Sequence, residues 1–470
     1  MSLLFLLIIP IILGLGLISF KPEKSSQIGI LGSLIQLGLA IYFLYGNNNS
    51  EGLDWNWIPD AGIRFKLQLD NINSPLVLLS TIIFPFILGT ICNTNKSNDG
   101  KYVGLLSIMQ GLMVGAFLAQ DAFLFYFFFE AALIPIYFII TQYGEGNRNK
   151  IATKFFVYTL FGSLFLLIGL IYIYLRGSGL KPSADFQYLY ETAAKLNPKE
   201  QNLLLFAFFI AFAIKMPMFP FHTWQPDTYT SAPAQGTMML SGIMLKMGTF
   251  GVIKMILPMF GPALENYGNI LIILSIVGVV YGSIIAIQQT DAKRILAYSS
   301  FAHVGLISAG MLTQGQEAIQ GAIYQMVSHG INVVGLFFVI DIIERRTKTR
   351  NIFQLGGITQ YSYILSVGFI ILSLGSVGLP LTNGFIGEFI LLKNIFNYSN
   401  WMGILAGFTI ILGAVYMLRL IQKSIFGNES KLTTNFQDLS YQEKIVLVSL
   451  SIFVIIGGII PSLIFQLINI

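Results

Sequence analysis

Charge is scarce in this chain. Only 10% of its 470 residues are Asp, Glu, Lys or Arg, where a soluble domain carries about 25%. A water-facing surface needs more, which excludes a soluble enzyme. Histidine is nearly missing, and Cys92 is the only cysteine. One cysteine cannot build an internal disulfide, a thiolate cluster or a Cys-ligated iron–sulfur centre. Neither His303 nor His329 has a second histidine or a carboxylate at ligand spacing, so no metal or other cofactor is expected on this chain. Long linkers and low-complexity tracts are lacking too, apart from Asn47-Asn48-Asn49. The net charge of +5 sits in short connections, and no nucleic-acid partner is expected.

Apolar runs fill the rest. Hydrophobic residues make up 55% of the chain, which also excludes disorder. Stretches long enough to cross about 30 Å of hydrocarbon fall near residues 3–20, 28–45, 73–92, 103–119, 122–141, 151–175, 202–220, 233–256, 268–288, 294–313, 318–341, 361–392, 401–423 and 441–466. The reading is an all-α polytopic membrane protein of about fourteen helices, since a β-barrel would show short alternating strands. The opening MSLLFLLIIPIILGLGLISF has no basic flank and no A-x-A site, so it reads as a retained first helix. Seventeen Lys and Arg fall on connections after odd-numbered helices, eight on the other side, and Lys215 and Lys246 lie inside helices. The positive-inside rule puts the odd side in the cytoplasm or matrix and both termini outside.

The informative residues are ionisable groups sunk in apolar runs: Glu130, Lys215, Lys246, His303, His329 and Glu388. A lone charge at the bilayer centre costs about 3 kcal/mol on insertion scales. Several such groups in one chain argue that they face each other or water. A charge about 4 Å away acts with about 4 kcal/mol at an effective dielectric of 20, enough to decide whether a buried lysine keeps its proton. A Glu130–Lys215 pair that opens and closes would load and release one. A buried pair of this kind can equally just lock two helices together.

Broken helices are the second signal. Lys215 runs into Met216-Pro217-Met218-Phe219-Pro220, and Gly375, Gly378, Pro380 and Gly384 precede Glu388. Interruptions at matching places of two halves mark the transport site of inverted-repeat transporters. Helices four to eight (103–256) and nine to thirteen (257–425) would be two inverted five-helix units, flanked by 1–102 and 426–470, with helices seven and twelve broken. His222 reads as an interfacial or capping residue, Trp224 and Trp401 as an interfacial belt, and Asp121 and Asp227 as edge residues.

Together FYFFFEAALIPIYFII, AIKMPMFPFHTWQPD, SAPAQGTMMLSGIMLKMGTFG, KRILAYSSFAHVG, YQMVSHG and GLPLTNGFIGEF resemble the antiporter-like subunits of proton-pumping NADH:quinone oxidoreductase, respiratory complex I. The similarity runs from about residue 100 to 420. Glu388, where sister subunits and cation/proton antiporter subunits carry Lys, and the DIIERRTKTRNI loop resemble the subunit M type, counterpart of mitochondrial chain 4. The resemblance implies fourteen helices in two inverted repeats. It implies Glu130 and Lys215 as a coupled pair, Lys246 as the central lysine, and His303 and His329 as a relay toward Glu388. It also implies sister subunits, lipid, protons and channel water as partners, no electron carrier on this chain, and a bacterial plasma membrane or mitochondrial inner membrane as its place. HTWQPDTYTSAP departs from the family's HxWLPDAHxxAP, with Tyr229 in place of a histidine and Ser231 in place of an acidic residue. A cation/proton antiporter subunit, a solute transporter and a membrane scaffold are the rival readings.

Overall fold

The computed structural model describes residues 2–46, 52–92, 94–177 and 183–468; Asn47-Asn48-Asn49 and Lys181 lie outside them. Among the described residues nine helices are long and apolar enough to cross a membrane, and Leu4–Phe20, Ser74–Gly89 and Tyr363–Ser376 are shorter apolar helices. Acidic and amide side chains start many of them. Asp99, Asp121 and Asp291 each accept backbone N–H bonds in the first turn, and Asn197 with Glu200 and Ser440 with Glu443 form capping boxes. These caps use the free N–H groups and the positive end of the helix dipole. Helices then pack closely where small residues meet. A Cβ on Gly104 would lie 2.5 Å from the Gly14 carbonyl, so Leu4–Phe20 and Gly100–Leu118 touch backbone to backbone.

Most expected helices stand, with three differences. The stretch around 361–392 is two helices, Tyr363–Ser376 and Asn383–Tyr398, and 122–141 is split at Ala132 into Ala122–Ala131 and Leu133–Tyr143. The run 202–220 ends at Lys215, and the chain resumes as Gln225–Ser231. The all-helix reading also misses a hairpin. Leu53–Ile58 pairs antiparallel with Ile63–Leu67 around a turn at Pro59–Ala61, where Gly62 takes φ +58°. Alternating Trp55, Trp57 and Phe65 give this connection strand character that a membrane-length window does not register. The hairpin docks on the end of the helix Arg148–Arg176, where Tyr174 donates to the Ala61 carbonyl, and on the segment after it, where Lys66 pairs with Asp185.

The two faces are chemically distinct. On one, ion pairs tie connections together: Arg350 to Glu145, Asp291 and Glu344, Arg294 and Lys154 to Asp227, and Arg345 and Arg346 to Glu443. These are the Lys- and Arg-rich connections of the sequence. The other face carries Arg64–Asp54, Arg176–Glu200, Lys254–Asp70 and Lys393–Glu317.

Candidate functional site

Proline chemistry positions Lys215. Pro217 has no N–H for the Ala213 carbonyl, so Met218 N–H takes it at 2.7 Å. That strands the Ile214 carbonyl, and the Trp224 indole donates to it at 2.9 Å. Trp224 is therefore buried, not interfacial: a freed carbonyl inside a membrane protein needs a donor, and Trp supplies one. Trp401 stays half exposed, as expected of a belt residue. Lys215 ends its helix and is 2% exposed. Its Nζ donates to the Phe129 carbonyl at 3.0 Å and stands 4.1 Å over the Phe129 ring centre. Glu130 is the next residue, and its Oε1 has no hydrogen-bond partner among the described residues. The two charges act on each other, and among the described residues no ion pair joins them.

Lys246 lies in Ala234–Met259, a helix interrupted by π turns at Leu240–Met244 and Val252–Ile256. A π turn adds a residue and loosens the carbonyl ladder, a feature frequent at functional sites. The Ser241 carbonyl, inside the first turn, accepts from Lys246 Nζ at 2.5 Å. The same Nζ is 2.8 Å from His329 Nδ1. The rings of His329 and His303 are 5.8 Å apart between centres and tilted by 55°. His303 Nδ1 lies 3.2 Å from Glu388 Oε1, out of line for a hydrogen bond. Gln325 Nε2 donates to that carboxylate oxygen at 3.3 Å. Lys246, His329, His303 and Glu388 thus form one buried row. Among the described residues His329 Nε2 and both His303 nitrogens have no hydrogen-bond partner, which in hydrocarbon is costly unless exchangeable partners come and go.

The row does not join Lys215 through a side-chain hydrogen bond among the described residues. Met216 packs between, where a Cβ on Gly248 would lie 2.8 Å from its Cβ. Around it Met216 Sδ accepts from Ser308 at 3.5 Å and Met326 Sδ from Thr249 at 2.7 Å. At the other end Glu388 rests against Gly378. That glycine has φ +66°, and a Cβ there would sit 2.3 Å from Glu388 Oε2. Gly378→Ala is expected to cost about 1–3 kcal/mol in backbone strain and to push the carboxylate off His303. A thermal-shift measurement on the purified complex checks it, and an unchanged midpoint with unchanged turnover would refute the contact's importance.

His222 is 5% exposed and stacks on Phe301 at 4.4 Å between ring centres, with Tyr281 edge-on. It is a core residue, not an interfacial cap, because three aromatic rings, Phe301, Tyr281 and Phe219, surround it. Asp121 sits at a helix edge and caps it, and Asp227 pairs with Lys154 and Arg294. Tyr229 packs on Phe337 and Ser231 donates to the Glu145 carbonyl at 2.7 Å, so that edge is closed by neutral packing. Sequence reasoning missed the Ser241 and Phe129 carbonyls, since backbone acceptors leave no mark on residue type.

Residues 119–413 match the family model for the membrane subunits of NADH:quinone oxidoreductase and Mrp antiporters. NADH-quinone oxidoreductase subunit M of Rickettsia prowazekii (strain Madrid E) is 37% identical, over 94% of this chain and 91% of its own. NADH-ubiquinone oxidoreductase chain 4 of Marchantia polymorpha is 34% identical, over 86% of this chain and 81% of its own. A chain of respiratory complex I from Thermus thermophilus superposes with a TM-score of 0.92 at 26% identity, covering 99% of this chain and 97% of that one. The chain belongs to the family of membrane subunits shared by NADH:quinone oxidoreductases and Mrp antiporters, and within it to the subunit M type.

Proposed function

We propose that this chain is a proton-translocating subunit of the membrane arm of an NADH:quinone oxidoreductase, complex I, and that Glu130, Lys215, Lys246, His329, His303 and Glu388 pass the protons. The carrying observation is the row Lys246–His329–His303–Glu388, with contacts of 2.8 Å at one end and 3.2 Å at the other. In this reading fourteen helices cross the membrane. Lys246 belongs to the first five-helix unit, 103–256, and the other three belong to the second, 257–425, so a proton moving along the row passes between units. Residues 1–102 and 426–470 flank them. Glu130 and Lys215 form a second charged group whose state biases Lys246. Imidazoles suit the middle because each ring can take a proton on one nitrogen and give one from the other. Redox chemistry elsewhere in the complex drives the charge changes, and no electrons travel on this chain.

The Lys- and Arg-rich face lies in the cytoplasm, both termini lie outside, and sister antiporter-like subunits flank the chain in a bacterial plasma membrane. Tagged chain purified in mild detergent is expected to bring NADH:quinone activity with it, and proteoliposomes of that complex to acquire an NADH-driven pH gradient. A complex without NADH activity that exchanges a metal cation for protons would replace this reading with the antiporter-subunit one.

A further inference from the structure

The helix Tyr441–Ile459 lies in the flank 426–470 and supplies no member of the row, yet its last turn holds two consecutive glycines, Gly457 and Gly458. Glycine inside a helix is destabilising relative to alanine. Neither residue takes the positive φ that a helix-ending glycine uses. What meets them explains their place. A Cβ on Gly458 would lie 2.3 Å from the Leu381 carbonyl oxygen and 2.5 Å from the Thr382 carbonyl carbon. Those are backbone atoms, which cannot swing aside as a side chain does. A Cβ on Gly457 would lie 2.8 Å from the Cβ of Asn383.

Leu381 to Asn383 is where the break in helix twelve ends, between Tyr363–Ser376 and Asn383–Tyr398. Leu381 takes φ +73°, a conformation that leucine rarely adopts and that persists only where the surroundings impose it. Gly458 is that surrounding. The same connection carries Gly378, against which Glu388 Oε2 rests, while Glu388 Oε1 lies 3.2 Å from His303 Nδ1. The connection is therefore the floor under the carboxylate, and moving it moves Glu388. The helix Gln316–Thr347 closes the arrangement from the other side. Its Tyr324 hydroxyl donates to the Gly457 carbonyl at 2.5 Å, its Ser328 donates to the Asn383 carbonyl at 3.2 Å, and its Gln325 donates to Glu388 Oε1 at 3.3 Å. His329 is on this helix too. Three helices are thus tied together at the break, with His329 on one and Glu388 on another.

Resting on the function proposed above, we infer that Gly457 and Gly458 are positioning residues of the row. They let the helix Tyr441–Ile459 seat the backbone of Leu381 to Asn383, and that seat keeps Glu388 within reach of His303. They act through the connection, and no proton passes over them. A methyl group at Gly458 needs about 1 Å of extra room, since carbon atoms pack at roughly 3.5 Å or more. A misplacement of that size costs up to about 100-fold where a reaction depends on close alignment.

The test uses the intact complex in proteoliposomes. Gly458→Ala is expected to lower NADH-driven proton translocation by about tenfold, with assembly and NADH–ferricyanide activity retained. Tyr324→Phe, which keeps the ring and removes only the tie to Gly457, is expected to give a smaller, severalfold fall. Gly407→Ala, whose Cβ would meet nothing within 4 Å, is expected to change nothing. The signature is the infrared difference between oxidised and NADH-reduced complex. The carboxyl band that Glu388→Gln removes is expected to shift in Gly458→Ala and to stay in place in Gly407→Ala. A role in packing alone would lower the thermal midpoint but leave that band and the translocation per assembled complex unchanged, and such a result would overturn the inference. Should Gly458→Ala not assemble, Tyr324→Phe decides, and full translocation with an unmoved band overturns it. Glu388→Gln separates the two levels. Its inactivity with a failed glycine test sinks only the positioning role, whereas its full activity sinks the function proposed above.

Discussion

A complex carrying Lys246→Met is expected to assemble with normal stability and to lose about 100-fold or more of its NADH-driven proton translocation. Methionine keeps most of the lysine's length and volume but has no proton to pass. Two roles for Lys246 predict opposite pairs of results. If its ammonium merely locks helices, through Ser241 at 2.5 Å and His329 at 2.8 Å, its loss weakens packing and spares turnover. If it carries protons, the charge is a burden that function requires. Replacing a buried charge by an apolar group of similar size is often neutral or stabilising. The thermal midpoint of the complex then stays or rises while translocation disappears. A lowered midpoint with translocation above half of normal would remove Lys246 from the path.

The same contrast explains what was legible in the sequence. Charge is so costly in hydrocarbon that Lys215, Lys246, His303, His329 and Glu388 stand out from composition alone, and the structure finds each of them buried. Helix breaks at Pro217 and around Gly378 were legible for the same kind of reason, because proline and positive φ have few homes in a helix. What stayed hidden depends on backbone geometry. Nothing in LSGIM or VIKMI announces a π turn, yet the first one presents the carbonyl that Lys246 uses. Trp224 was misread because an interfacial Trp and a buried donor look identical in sequence; only the stranded Ile214 carbonyl distinguishes them. Likewise a Glu and a Lys on separate helices suggest a direct pair, whereas the structure sends Lys215 to the Phe129 carbonyl.

That indirect arrangement makes Glu130 and Lys215 the second large expectation. Glu130→Gln and Lys215→Ala are each expected to leave the complex assembled and to abolish most coupled NADH oxidation. The two should also be strongly non-additive, with Glu130→Gln/Lys215→Ala no slower than the worse single variant. The reason is geometric. Lys215 is held by a neutral carbonyl, and Glu130 Oε1 has no hydrogen-bond partner among the described residues, so each charge is biased by the other without direct contact. Removing either one removes the switch, and the remaining partner has nothing to respond to. Groups that act as one unit show such coupling, whereas independent sites add to within about 0.5 kcal/mol. Lys215→Ala also unties the Phe129 carbonyl, an unmet acceptor worth about 1–3 kcal/mol, so its thermal midpoint should fall further than that of Glu130→Gln. Coupled oxidation near normal in either variant, or losses that multiply in the double one, would show that the pair does not work as a switch.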